Sequence, residues 1–271
     1  MNDLVLLKPK LTRLKLSGVL ETLSARLEQA TAERWSYSQF LDCLASDEVE
    51  RRDYKQLSHR LSKSGLDPAK TLETFEFAFN PRIHEPTIRE LANCQFLQRK
   101  DNLLFLGPSG VGKSHLAQAL GHEAARRGHE VLFRRTYSLL QWIAAGRGDG
   151  SYDRRLKHAA SIEMLILDDF GLKPLSQEQQ SDLYELICER YEKAPTIITS
   201  NRDFAEWLSV FSNPLMGSAA MDRLVHRGIK FVIEGKSYRV DSFRKRAADS
   251  LQATEQKQSV TTTDPSEGTL S

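Results

Sequence analysis

The feature that most constrains this chain is a glycine-rich octapeptide that directly follows a short apolar run. The run is Leu103 to Leu106, and the octapeptide is Gly107-Pro108-Ser109-Gly110-Val111-Gly112-Lys113-Ser114. Its spacing satisfies the P-loop pattern, in which glycines let backbone N–H groups surround the β- and γ-phosphates of a nucleotide. Lys113 adds a positive charge and Ser114 a hydroxyl ligand for Mg²⁺, at the start of a helix expected over residues 114–127. The octapeptide therefore predicts a strand, a triphosphate-binding turn and a helix.

Five short apolar runs alternate with helical stretches in the part of the chain that contains this turn. The runs are Leu103 to Leu106, Val131 to Phe133, Met164 to Leu167, Thr196 to Thr199 and Ile229 to Ile233. Such alternation is typical of a parallel sheet with helices on both faces. Helix starts are indicated by Ser176 with Gln179, which form a capping box, and by Asn213-Pro214. The sequence thus predicts an α/β fold built on a five-stranded parallel sheet.

The chain before residue 66 has a helical pattern. Leucines recur at about one helical turn from Leu4 to Leu27. Ser36 and Gln39 predict a capping box that opens a second helix, and Ser64-Gly65 predicts its end. We therefore expect a small all-helical domain over residues 1–65. A domain of this size rarely buries enough apolar surface alone, so it should dock on a neighbour or a partner.

The remaining boundaries follow from composition. Phe75, Phe77 and Phe79 alternate with polar or small residues, which predicts an extended linker over residues 66–85 that lies on the nucleotide domain. Pro86 should start a helix that runs to about residue 97, and the nucleotide domain should span residues 86–246. Residues 247–271 contain no aromatic residue and little to bury, so they are predicted to be disordered.

Polar side chains stand at the ends of two of the apolar runs. Asp168 and Asp169 follow the third run. We expect Asp168 to hold Mg²⁺, on a strand next to the one that feeds the P-loop, and Asp169 to polarise the attacking water as a general base. Asn201 follows the fourth run and is placed to hydrogen-bond the γ-phosphate or that water, with a helix-capping asparagine as the alternative.

Arginines supply candidates for two further functions, contact with a neighbouring subunit and contact with DNA. A helix expected from Pro214 to Arg227 carries Arg223, which could reach the γ-phosphate of a neighbouring subunit; Arg227 and an ordinary surface ion pair stay open as alternatives. Arg134-Arg135 and the basic run 154–158 flank a glycine-rich stretch at 146–150. A flexible loop with arginines on either side could follow a phosphate backbone, so contact with DNA is a hypothesis for this stretch.

Composition argues against several other classes of protein. No apolar run approaches the roughly 20 residues that span a bilayer, and the first residues lack the order of a signal peptide, so we expect a cytoplasmic protein without a membrane segment. The formal net charge of +2 neither requires nor excludes nucleic acid. The three cysteines are far apart, which argues against a disulfide framework. His115 and His122 are expected to be packing or surface residues rather than metal ligands.

These motifs together resemble the IstB-type transposition helper ATPases, a family of the AAA+ class that is close to DnaC-type helicase loaders. The similarity covers about Leu11 to Val240 and includes the leading helical region and the Phe75-Glu76-Phe77 stretch. The segments that carry it are the P-loop with Leu165 to Leu172, Thr196 to Arg202, Trp207, Phe211, Asp222-Arg223-Leu224 and Gly235 to Arg239.

The resemblance implies an AAA+ ATPase that uses ATP and Mg²⁺, oligomerises on double-stranded target DNA, and recruits or stimulates its cognate transposase. The usual helical lid of AAA+ proteins is expected to be absent. A helicase loader that prefers single strands is the alternative, and a small-molecule kinase is a more distant one. By motif, the resemblance assigns ATP and Mg²⁺ binding to Lys113 and Ser114, metal and hydrolysis to Asp168 and Asp169, sensor 1 to Asn201, the trans finger to Arg223 and a weak sensor 2 to Arg239.

Overall fold

A five-stranded sheet forms the centre of the computed structural model, which describes residues 3–244. The strands are β1 (Asn102–Leu106), β2 (Val131–Arg135), β3 (Met164–Asp168), β4 (Thr196–Ser200) and β5 (Gly228–Val232). Their order across the sheet is β2-β3-β4-β1-β5, and all four pairings are parallel. The predicted fold class and the five apolar strands are confirmed.

The strand order corrects one expectation. β3, which ends in Asp168, pairs with β2 and β4, whereas β1 pairs with β4 and β5. The strand of the acid pair is therefore separated from the P-loop strand by β4. Sequence alternation could not reveal this, because β1, β3 and β4 are all buried on both faces and their hydropathy does not rank them across the sheet.

The described part of the chain begins with three helices: α1 (Asp3–Arg13), α2 (Ser17–Ala32) and α3 (Tyr37–Ser64). The predicted capping box of Ser36 and Gln39 opens α3, and Gly65 ends it with a φ of +74°. The apolar cluster between these helices has four buried members, which are Leu11, Val19, Leu23 and Leu44. Glu48 supplements it, because its buried carboxylate accepts hydrogen bonds from the N–H groups of Gly18 and Val19 at the start of α2.

Within residues 3–244, seven further helices cover the two faces of the sheet. They are α4 (Glu85–Leu91), α5 (Gln95–Arg99), α6 (Lys113–Arg126), α7 (Thr136–Asp149), α8 (Tyr152–Ser161), α9 (Gln177–Arg190) and α10 (Pro214–His226). Alternate residues of β1 enter opposite cores: Leu104 and Leu106 pack in the cluster that includes α7 to α10, and Leu103 and Phe105 in the one that includes α4 to α6. Helices on both faces were expected from the alternation.

Two expected features of residues 66–97 are wrong. Residues 66–80 are not extended, since backbone hydrogen bonds such as Phe75 N–H to Leu72 O fold them into turns and a 3-10 helix at Phe77–Phe79. Phe75 and Phe77 pack on the core beside α6 without a strand, and Phe79 instead meets the Tyr238 ring. The helix expected from Pro86 is split into α4 and α5, because the backbone takes a φ of +60° at Cys94.

The glycine-rich stretch at 146–150 is also not a flexible loop. α7 continues to Asp149 and ends at Gly150, whose φ is +69°. Gly146 is required for packing, since a Cβ there would lie 2.7 Å from the Tyr152 backbone nitrogen. Arg147 pairs with the buried Asp182 and lies over the Tyr152 ring. The hypothesis of a mobile DNA-tracking loop therefore loses its structural basis.

The chain enters another helix at residues 238–244, where the description ends. The predicted disordered tail at 247–271 and the domain limit at residue 246 lie outside the described residues. Within residues 3–244, no helix is long and apolar enough to cross a membrane.

Candidate functional site

The carboxyl ends of β1, β3 and β4 meet at one edge of the sheet, where open parallel sheets bind ligands. β1 leads into the turn 107–112, and α6 starts at Lys113. Gly112 has a φ of +101°, and a Cβ there would lie 2.8 Å from a ring carbon of Phe75. Glycine at this position thus serves both the backbone conformation and the close approach of an aromatic ring.

Lys113 lies at the centre of this edge and is only 5% exposed. Its Nζ donates hydrogen bonds to Gly107 O at 2.8 Å, Pro108 O at 2.7 Å and Asn201 Oδ1 at 2.7 Å. Burial lowers the pKa of Lys113 to about 8, although the negative charges of Asp168 and Asp169 oppose that shift. The structure therefore brings the P-loop lysine and the asparagine after β4 into direct contact.

The acid pair lies beside them at the end of β3. The buried Asp168 carboxylate accepts a short hydrogen bond from the Thr199 hydroxyl, which in turn accepts one from the Asp169 N–H at 3.2 Å. Asp169 has a φ of +55°, uncommon for a residue with a Cβ. Burial, and next the charge of Asp168, raise the pKa of the Asp169 carboxyl. The two carboxylates thus have different environments.

Three residues of this cluster were not identified as site residues from the sequence. Thr199 bonds both members of the acid pair, Thr136 donates its hydroxyl to Asp168 O at 3.0 Å, and Arg135 Nε lies 3.9 Å from Asp169 Oδ2. Arg135 had been assigned only to a basic cluster. A usable signal was present for Thr199, because it is a hydroxyl residue at the end of a buried strand, two residues before Asn201.

The donor chemistry fits a magnesium ion. Ser114 is half-buried in the first turn of α6, and Asp168 is buried at the end of β3. A hydroxyl and a carboxylate are hard oxygen ligands, and Mg²⁺ is usually held by one or two such groups together with phosphate oxygens and water.

A cavity of about 300 Å³ opens from the P-loop toward the segment that precedes α4. Its polar lining includes Lys113, Ser114, Asp169, Asn201 and Arg239. Its aromatic lining consists of Phe75, Phe79 and Tyr238, and Tyr238 meets the Phe79 ring edge-on at 5.0 Å. The cavity therefore combines charged and aromatic side chains.

Arg223 and Arg227 lie elsewhere. Both line a small depression with Asn102 and Thr196, the first residues of β1 and β4, at the opposite edge of the sheet. Arg223 donates to Ala219 O at 2.8 Å and lies over the rings of Tyr184 and Tyr191. Arg227 donates to Arg99 O at 2.9 Å. The structure does not bring either arginine to the P-loop of its own chain.

Sequence comparison identifies close relatives over most of the chain. The family model for IstB-like ATP binding proteins matches residues 9–247. A protein of insertion sequence IS21 from Pseudomonas aeruginosa, described as ATP-binding, is 37% identical over 87% of this chain and 89% of its own length. An insertion-sequence protein from Mycobacterium tuberculosis with the same description is 38% identical over 86% of this chain and 93% of its own length.

Solved structures show the same fold at lower identity. A DNA replication initiation factor superposes with a TM-score of 0.55 at 25% identity, covering 69% of this chain and 56% of its own. The DnaC helicase loader superposes with a TM-score of 0.53 at 24% identity, covering 61% of this chain and 97% of its own. The sheet region therefore has the P-loop α/β fold of AAA+ type.

Proposed function

We propose the function of this chain from one established premise: it belongs to the family of IstB-like ATP-binding proteins. On that premise it is a transposition-associated ATPase of an insertion sequence. It binds ATP with Mg²⁺, oligomerises on double-stranded target DNA, and recruits or stimulates its cognate transposase in the cytoplasm, with ATP hydrolysis controlling the assembly. The family model supports this, because its match over residues 9–247 includes most of the N-terminal helices as well as the sheet region.

The observation that carries the ATPase proposal is the cluster at the strand ends. Lys113 contacts Asn201, which directly follows β4, and Thr199 of β4 contacts the acid pair. One edge of the sheet thus combines a cation for phosphate, an amide that can orient water and two carboxylates. This combination suits phosphoryl transfer to water.

Each residue has a distinct part in the proposal. The N–H groups of residues 107–114 and the Lys113 ammonium bind the phosphates. Ser114 and Asp168 hold Mg²⁺, which when bound neutralises charge on the phosphate oxygens. Asn201 orients the attacking water.

Asp169 accepts the proton of the attacking water. The raised pKa of its carboxyl suits it to this task, because a carboxylate of higher pKa is a stronger base.

Arg223 is proposed to act on a neighbouring subunit. Its position at the opposite edge of the sheet removes it from the phosphates of its own chain. A trans arginine would couple hydrolysis to assembly, because each site would be complete only in the oligomer. Arg239 lines the cavity of its own chain and is proposed to contact the phosphates in cis.

Sedimentation with DNA tests this function. The purified chain is mixed with duplex or single-stranded DNA of equal length, with and without ATP and Mg²⁺, and Lys113→Ala serves as the control. Large ATP-dependent particles on duplex DNA are expected. A preference for single strands would instead support helicase loading, and a chain that hydrolyses ATP but assembles on neither DNA would contradict the DNA part of the proposal.

A further inference from the structure

Residues 66–80, the segment between α3 and α4, form one wall of the cavity, and we call this segment the strap. It crosses a single face of α6, the helix that follows the P-loop. Four side chains of that helix, spaced three or four residues apart, contact it. His115 Nε2 donates to Thr71 O at 2.8 Å, and His122 Nε2 donates to Asp67 O at 2.9 Å. Gln118 Oε1 accepts from the Asp67 N–H at 2.9 Å, and Arg126 Nη1 donates to Glu73 Oε1 at 2.8 Å.

His115 is the member of this row that lies at the site. It directly follows Ser114 and lines the cavity. A backbone carbonyl only accepts hydrogen bonds, so the contact with Thr71 O places a proton on Nε2 of the imidazole. The imidazole also meets the Phe75 ring edge-on, at 5.1 Å between centroids.

Phe75 is thereby held from two sides. His115 contacts one side of the ring, and the backbone of Gly112 approaches another so closely that a Cβ would not fit. Phe75, Phe79 and Tyr238 line the same cavity as the P-loop. Flat aromatic surfaces beside a phosphate-binding turn suit the base of a nucleotide, since bases stack on aromatic rings.

We propose that His115 is a positioning residue for nucleobase recognition: by holding Thr71 and Phe75, it places the aromatic wall of the strap against the base. The proposal rests on the proposed function, because it takes the phosphates of the nucleotide to lie at residues 107–114. On this basis, affinity for the nucleotide has two separate contributions. The phosphate contribution comes from the P-loop and Lys113, and the base contribution depends on the strap and on the bond that holds it.

Calorimetry on the full chain can separate these contributions. Affinity is measured for a non-hydrolysable ATP analogue and for inorganic tripolyphosphate, both with Mg²⁺. His115→Leu removes the Nε2 donor and keeps an apolar side chain of similar size. The matched control is His59→Leu, because His59 is exposed on α3 and away from the strap contacts.

The wild type should bind the analogue more tightly than tripolyphosphate. His115→Leu should lower the affinity for the analogue by about tenfold, which is the size of one stacking contact. Its affinity for tripolyphosphate should stay within about twofold of the wild-type value. An unchanged ratio of the two affinities, or an equal loss for both ligands, would overturn the proposal. If the wild type binds neither ligand, the proposed function itself fails.

Two further variants distinguish positioning from a loss of folding. The amide nitrogen of glutamine is a hydrogen-bond donor, so His115→Gln should renew the bond to Thr71 O. This variant should restore most of the wild-type preference for the analogue over tripolyphosphate. Phe75→Ala removes the wall directly and should reproduce the loss seen with His115→Leu. Combining Phe75→Ala with His115→Leu should cause no further change in the ratio, because both act through one contact surface. Additive losses would show that His115 does not act through Phe75.

Discussion

Apolar side chains are buried very differently in the sheet region and in the three N-terminal helices. Leu103, Leu104 and Phe105 of β1 are at most 1% exposed, whereas Leu41 and Tyr54 of α3 are 64% and 74% exposed. The sheet region buries its strands between two layers of helices. The N-terminal helices form a much smaller cluster and supplement it with polar bonds, such as the bidentate contact of Arg26 with Asp47.

The end of α3 belongs to both regions. Leu57 and Leu61 pack on the core beside α6, and Arg60 Nε donates to Ala125 O at 3.1 Å. The N-terminal helices therefore do not stand alone, because α3, the longest of them, is anchored on the helix that follows the P-loop. We therefore expect chemistry to depend on the sheet region, and the exposed apolar part of α1 to α3 to be available for partners.

The largest effect is expected for the P-loop lysine. Lys113→Ala removes the buried ammonium that contacts the turn and Asn201, so ATP binding should be abolished. Lys55→Ala, an exposed lysine on α3, is the matched control and should bind ATP like the wild type. Equilibrium binding of labelled ATP checks both. Retained ATP binding in Lys113→Ala would contradict the site assignment.

The next effect concerns hydrolysis alone. Asp169→Asn keeps the shape of the side chain but removes the proton acceptor, so hydrolysis should slow by roughly 10²- to 10⁴-fold with ATP binding intact. Phosphate release under single-turnover conditions measures the rate, and Asp53→Asn on α3 serves as the control. A normal rate in Asp169→Asn would show that Asp169 is not the general base.

One substitution made in both regions tests the difference in their cores. Leu104→Ala, in the densely packed sheet, should destabilise its region by about 4–5 kcal/mol, and Leu23→Ala, in the small helical cluster, by about 2–3 kcal/mol. The difference is expected because a small cluster can collapse around the cavity more easily. Hydrogen exchange resolved by segment measures both values, and equal losses would remove the distinction between the two cores.

The smallest effect is a pH dependence. Lys113 has a pKa of about 8, so its side chain is charged below that pH and neutral above it. Since the charged form binds phosphate, affinity for ATP should be constant well below pH 8, begin to fall near pH 8 and then decrease by up to about tenfold per pH unit. Titrations between pH 7 and 9.5 check this. An affinity that stays flat to pH 9.5 would show that Lys113 remains charged.

Features determined locally were predictable from the sequence. The P-loop, the capping boxes at Ser36 and Ser176, and the five strands depend on short stretches of chain, and the structure has them where expected. The candidate residues Lys113, Asp169 and Asn201 also came from motifs at strand ends, and the structure brings them together at one cavity.

Features determined by contacts between distant segments were not predictable. The position of β4 between β1 and β3 depends on packing of the whole sheet. The turns of residues 66–80 depend on hydrogen bonds to α6, which lies about 40 residues or more further along the chain. In each case the pattern in the sequence is compatible with two structures, and only the tertiary partner decides between them.

The position of β4 between β3 and β1 affects how the two halves of the site are held relative to each other. Thr199 of β4 contacts the acid pair, and Asn201, the first residue after β4, contacts Lys113. The two contacts are only two residues apart, about 7 Å in extended backbone. The end of β4 therefore connects the carboxylates with the lysine through a short stretch of chain. The end of β4 thus links the two halves of the site, and any shift of this strand along its axis would displace both contacts together.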